Sequence, residues 1–208
     1  MTASAAFVVA AAAVAAVSLA VQRLRLGRIA PPLAPAKGRA AAGVAYAFTV
    51  AFAPWAKESA RRHLPTYAAG IVYHAAILAM LVRLLSSPFA PALPRAGGAV
   101  VAGCLAAGLG CGLALLAKRA IDANLRGLSV PDDFLANALV DLALATGAAA
   151  ALAPAWLPAS QLAGGVLLLY APLGKLRHMI FLLTSRRLTG AYFGRRGVRP
   201  HPAEALRG

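Results

Sequence analysis

The sequence predicts an all-α integral membrane protein: a bundle of five transmembrane helices, N-terminus outside and C-terminus cytoplasmic, with an interfacial helix between spans one and two. Three observations predict it. The chain is 61% hydrophobic over 208 residues, with a mean hydropathy of +0.72, well beyond an ordinary soluble domain. Several apolar runs are long enough to cross about 30 Å of hydrocarbon. The basic residues that give a net charge of +15 lie between those runs, where topology places them, and do not form the patch that a nucleic-acid-binding domain would need.

In chain order, the spans fall at about 3–21, 66–86, 98–116, 132–153 and 160–183. The first has no basic residue before its apolar core and an arginine cluster after it, so it is an anchor and not a cleavable signal. Residues 40–56 (AAAGVAYAFTVAFAPWA) are apolar but short for a span, and Pro54 comes near their end. Charge decides their status. If they stay on one side, the loop 22–65, the loop 117–131 and the tail 184–208 together hold 17 of the 21 Lys and Arg. If they cross, that bias disappears. The segment is therefore an interfacial helix on the cytoplasmic face of the inner membrane. The connectors SSPFAPALPRAGG and LAPAWLPAS make short external turns. Nothing outside the membrane is large enough to fold by itself, so 1–208 is a single membrane domain and any soluble catalytic unit is another polypeptide.

Cys104 and Cys111 lie in one apolar run without CxxC or CxxCH spacing. That gives no support to zinc, iron-sulfur or covalent haem binding, and both read as packing residues. Polar side chains that accept the cost of hydrocarbon are the functional candidates: His74, Arg83, Asp141 and His178. At about 1.5 Å per residue, His74 lies about 12 Å and His178 about 7 Å from the cytoplasmic face. Two imidazoles in the same half of the bundle on different spans are what a bis-histidine b-type haem requires. Gly70 and Gly174 each stand four residues before their histidine, leaving a missing side chain where a flat macrocycle could approach. Lys175 and Arg177 could pair with the propionates. The competing reading is that each histidine only hydrogen-bonds between helices.

Asp141, about nine residues into span four, either hydrogen-bonds a haem ligand or relays protons to a quinone headgroup, or else pairs with Lys118 or an arginine. Arg83 snorkels to the outer surface. His63, in the basic ARRHLP stretch, and His201, between two prolines, are solvated.

Three segments carry a family resemblance: residues 70–81 (GIVYHAAILAML), 129–141 (SVPDDFLANALVD) and 170–197 (YAPLGKLRHMIFLLTSRRLTGAYFGRRG). In outline over most of the chain, and most specifically in the Pro-x-x-Lys-x-x-His turn before a basic tail, the sequence resembles the gamma subunit of respiratory nitrate reductase and its relatives in sulfite-reduction-associated and heterodisulfide-reductase-like complexes. The resemblance implies five spans, haem b in the bundle, and electron exchange between quinone or quinol and a cytoplasmic iron-sulfur subunit. It makes His178 and His74 the ligands of the cytoplasm-proximal haem. Nitrate reductase gamma subunits hold a second, outer haem, but the corresponding stretches here read Arg83-Leu84 and Ser160-Gln161. One haem b is therefore expected. The expected role is an electron-transfer subunit of a respiratory oxidoreductase, not a complete enzyme. A haem-free anchor and a small transporter or channel subunit are the alternatives.

Overall fold

In the computed structural model, the described residues are 1–26, 37–56, 58–90 and 92–198. They are helical with short turns and 3-10 segments between. His201 and the end of the basic tail lie outside them. Four helices are long and apolar enough to cross a membrane: α1 (Ala3–Arg25), α4 (Leu64–Ser86), α5 (Arg95–Ile121) and α7 (Pro131–Leu152). A fifth span results if the broken pair Pro154–Tyr170 and Lys175–Arg195 is one crossing. The short apolar helix expected between spans one and two is α2 (Ala40–Phe48), followed by 3-10 turns at Val50–Phe52 and Pro54–Ala56, and then by α3 (Glu58–Arg62).

The helix starts and stops have local causes. Asp122 accepts from the backbone N–H groups of Asn124 (2.9 Å) and Leu125 (3.2 Å), which caps α6 (Ala123–Leu128) in the loop after α5. Pro131 opens α7, where its missing N–H costs nothing, and the Asp133 carboxylate accepts from the Val130 N–H at 3.0 Å. Pro154 follows the end of α7 and the 3-10 turn Pro154–Trp156 leads into α8 (Leu157–Tyr170).

The last apolar stretch differs from the continuous span expected over 160–183. Pro172 cannot continue the helical ladder, and the chain turns over residues 171–174, with Leu173 and Gly174 both donating to the Tyr170 carbonyl (2.9 and 3.0 Å). A 3-10 turn at Lys175–Arg177 follows, and His178 is the first residue of α9 (His178–Arg195).

The chain forms two compact units. The first comprises Met1–Ala20 and Ala68–Arg177. Its core is made by α1, α4, α5, α7 and α8, with Ala76, Leu105 and Leu144 fully buried beside Val8, Met80 and Leu167. Large apolar side chains also cover its outside: Leu78, Val82 and Val100 are 64%, 70% and 74% exposed. Apolar outside as well as in, these helices are built for lipid.

The second unit comprises Val21–Tyr67 and the described residues from His178 onward. Its centre is the pairing of α2 with α9, where Gly43 faces Gly190 and Gly194 so closely that a methyl on any of the three would run into the opposite backbone. This small-residue crossing is the usual means of bringing two membrane helices backbone to backbone. Lys37 and Gly38 donate their N–H groups to the Arg195 carbonyl (2.8 and 2.9 Å), tying the start of α2 to the end of α9.

Candidate functional site

The polar residues of the first unit gather in three places along its helices. The deepest is a cluster on α4, α5 and α7. Tyr73 lies nine residues into α4 and Asp141 ten residues into α7, so each is about 14–15 Å from its helix start, near the middle of a bilayer core. The Tyr73 hydroxyl donates to Asp141 Oδ1 at 2.8 Å. Asn137, one turn earlier on α7, donates its amide to Asp141 Oδ2 at 2.7 Å and reaches the Gly112 carbonyl of α5 at 3.4 Å. Asp141 is 6% exposed and Tyr73 8%.

A carboxyl group so buried needs hydrogen bonds to both oxygens, and here it has them. Gly112 makes room: a Cβ there would collide with the Asp141 carboxylate and the Tyr73 ring. Among the described residues, the partners of Asp141 are thus a tyrosine and an asparagine.

His74 is the next residue on α4 and points the other way. A helix turns 100° per residue, so burying Tyr73 places His74 on the exterior, where it is exposed. Its Nδ1 lies 2.7 Å from the Gly70 carbonyl. Because a carbonyl can only accept, Nδ1 carries the proton, and in the neutral ring the lone pair is on Nε2. The ring meets that of Tyr73 edge-on, with centroids 6.3 Å apart. Outside its own helix backbone, a Cβ at Gly70 would meet no heavy atom of the described residues within 4 Å, which leaves that side of the turn below His74 uncovered by them.

The second place is the basic-loop end of the bundle, at the break after α8. Asp132 accepts from the Tyr170 hydroxyl and, through Oδ2, from the Lys175 backbone N–H at 2.9 Å. Lys175 Nζ reaches Asp133 Oδ1 at 2.6 Å, and Arg119 of α5 approaches the same oxygen at 3.4 Å. The two aspartates opening α7 therefore hold the turn that precedes His178, and the Lys175 ammonium is engaged by protein. The bare face of Gly174 is filled by the Tyr170 ring, into which a Cβ would collide. Arg177 and His178 are both exposed. His178 belongs to the second unit and His74 to the first.

The third place is the opposite end. Gln161, 2% exposed, accepts from Ser4 Oγ at 2.7 Å and donates to Ser87 Oγ at 3.0 Å, which links α8 to α1 and to the end of α4. Arg83 donates to the Ala90 carbonyl at 3.0 Å and thereby holds the turn after α4. Every buried side-chain nitrogen and oxygen among the described residues has a hydrogen-bond partner. Cys104 and Cys111 are free thiols on α5.

Sequence reasoning singled out Asp141 and His74 but missed Tyr73, Asn137 and Gln161. Asn137 and Asp141, four apart in an otherwise apolar span, form a polar pair on one helix face that the spacing rule could have found. Neither a protein-family model, nor a curated protein, nor a solved structure matches this chain.

Proposed function

We propose that this chain is the haem b membrane-anchor subunit of a quinone-linked respiratory oxidoreductase of the inner membrane, exchanging electrons between quinol or quinone and a cytoplasmic iron-sulfur subunit. The observation that carries the reading is the His74 imidazole. It stands on the outside of a membrane-spanning helix with its Nδ1–H held by the Gly70 carbonyl. Haem-ligating and metal-ligating histidines characteristically donate one ring N–H to a backbone carbonyl, which fixes the tautomer and directs Nε2 at the iron. An ionisable side chain on a membrane-spanning helix is costly and for that reason a functional candidate. The open side at Gly70 suits the same ligand.

In this reading, His74 and His178 would hold a haem b, as the resemblance to nitrate reductase gamma subunits implies, and the bound group would supply one-electron transfer. The chain's own part is to bind, orient and insulate. The Tyr73–Asp141–Asn137 cluster sets the rotation of α4 and so the direction of His74. Asp132 and Asp133 hold the turn that leads to His178. Arg177 remains the candidate for a propionate, whereas Lys175 positions that turn. A single haem is proposed, because the stretches Arg83-Leu84 and Ser160-Gln161, which the resemblance sets against the outer ligands of the related subunits, hold no histidine.

The test is reduction by quinol. The full chain, purified after expression with adequate haem, is mixed anaerobically with a short-chain quinol. A b-type absorption spectrum that becomes reduced supports the reading. Protein that carries no haem, even when expressed with its operon partners, leaves a haem-free anchor or a transport subunit.

A further inference from the structure

Arg186 of α9 is half-buried and has no carboxylate partner among the described residues. Its Nη1 donates to the Ala47 carbonyl at 3.0 Å, and its guanidinium carbon lies 4.2 Å from the centre of the Phe52 ring. Both partners are uncharged. They occupy part of a group that offers five N–H donors and leave its charge unmatched. In the same unit, Glu58 is the only carboxylate among the described residues, and Arg62 takes it.

Beside Arg186, between α2 with its following turn and α9, lies a cleft of about 340 Å³, within the roughly 300–1,000 Å³ typical of small-molecule sites. The cleft exists because the glycine crossing brings the backbones together, so larger side chains must spread around it. Ser185 and Thr189 bring hydroxyls to it, while Ala51, Leu182 and Phe193 make apolar walls. One cation, a few hydroxyl-bearing side chains and an otherwise apolar lining describe a ligand that is anionic at one end and hydrocarbon at the other.

We propose that this cleft binds an anionic phospholipid, its phosphodiester on Arg186 and the beginning of an acyl chain along Leu182 and Phe193. The charge decides the occupant. A quinone headgroup would suit the walls but is neutral, and would leave the guanidinium without a counter-ion. The distribution of Lys and Arg places this unit on the cytoplasmic side, where anionic lipids attract basic segments at the membrane surface. The site does not depend on haem.

The experiment is native mass spectrometry of the full chain, delipidated in detergent and then titrated with phosphatidylglycerol or phosphatidylcholine of identical acyl chains. Wild type retains phosphatidylglycerol in preference to phosphatidylcholine by about five-fold or more, the order expected for one well-placed cation. Arg186→Gln loses that preference. Ala51→Phe, which fills the cleft and keeps the charge with its two contacts, loses it as well, and serves should Arg186→Gln not fold. Arg187→Gln, at an exposed residue outside the cleft lining, keeps it. Equal retention of the two lipids by wild type, undiminished preference in either cleft variant, equal loss in Arg187→Gln, or displacement of both lipids by a quinone analogue would overturn the proposal.

Discussion

Tyr73 and Asp141 meet hydroxyl to carboxylate at 2.8 Å, joining α4 to α7 near the middle of the membrane-spanning bundle. The contact fixes which face of α4 looks inward, and His74, the adjacent residue, faces outward as a consequence. Tyr73→Phe leaves one oxygen of a buried carboxyl group without its donor, and we expect a loss of about 1–2 kcal/mol, between the averages for membrane helix contacts and for buried unsatisfied groups. Equilibrium unfolding in mixed micelles would measure it. In a double-mutant cycle with Asp141→Ala, the losses should be less than additive, and additive losses would show that the two groups do not interact.

Gly112 is the third element of this contact. Gly112→Ala drives a methyl group into Asp141 and Tyr73 and should cost about 1–3 kcal/mol, as overpacking does. Gly110, two residues away on the same helix, has no heavy atom of the described residues outside its own helix backbone within 4 Å of an added Cβ. Gly110→Ala should be neutral to slightly stabilising. Equal effects in thermal denaturation would contradict the packing described for α5.

The turn before His178 depends on carboxylates from another helix. Asp132→Ala removes the carboxylate that accepts from both the Tyr170 hydroxyl and the Lys175 N–H, leaving the hydroxyl only the longer contact to the Asp132 carbonyl at 3.4 Å. If the turn positions His178 as proposed, haem content per chain should fall to an intermediate level, and Asp132→Asn, which retains one acceptor oxygen, should fall less. Haem content unchanged in both would separate the turn from the ligand.

How far the sequence could be read follows from what each feature depends on. Span positions depend on length and hydropathy, so α1, α4, α5 and α7 fall within a few residues of expectation, and the short apolar helix before α4 appears as well. The rotation of each helix depends on which face packs inward. These spans are apolar all round, so no stripe marks that face. For this reason the partners of Asp141 were not legible, although Asn137 four residues before it was a usable clue. The interruption of the last apolar stretch at residues 171–174 was carried by Pro172, but a proline in an apolar run can kink a membrane helix without ending it. Here the Asp132 and Asp133 contacts to Lys175 make it a turn.

The glycine crossing of α2 and α9 has its own test. Gly190→Val and Gly194→Val each place a branched side chain against the opposite backbone, and should release α2 from α9. Limited tryptic cleavage at Arg39, whose carbonyl accepts from the first turn of α2, should accelerate at least several-fold over wild type. Unchanged cleavage in both variants would argue against the crossing.

The most direct measurement of the central claim is haem quantified by pyridine haemochrome, with the dithionite-reduced minus oxidised spectrum, in purified wild type, His74→Ala, His178→Ala and His63→Ala. One b-type haem per chain is expected in wild type and in His63→Ala, with its loss in the other two and the helical content intact. Haem retained at wild-type level in His74→Ala would contradict it.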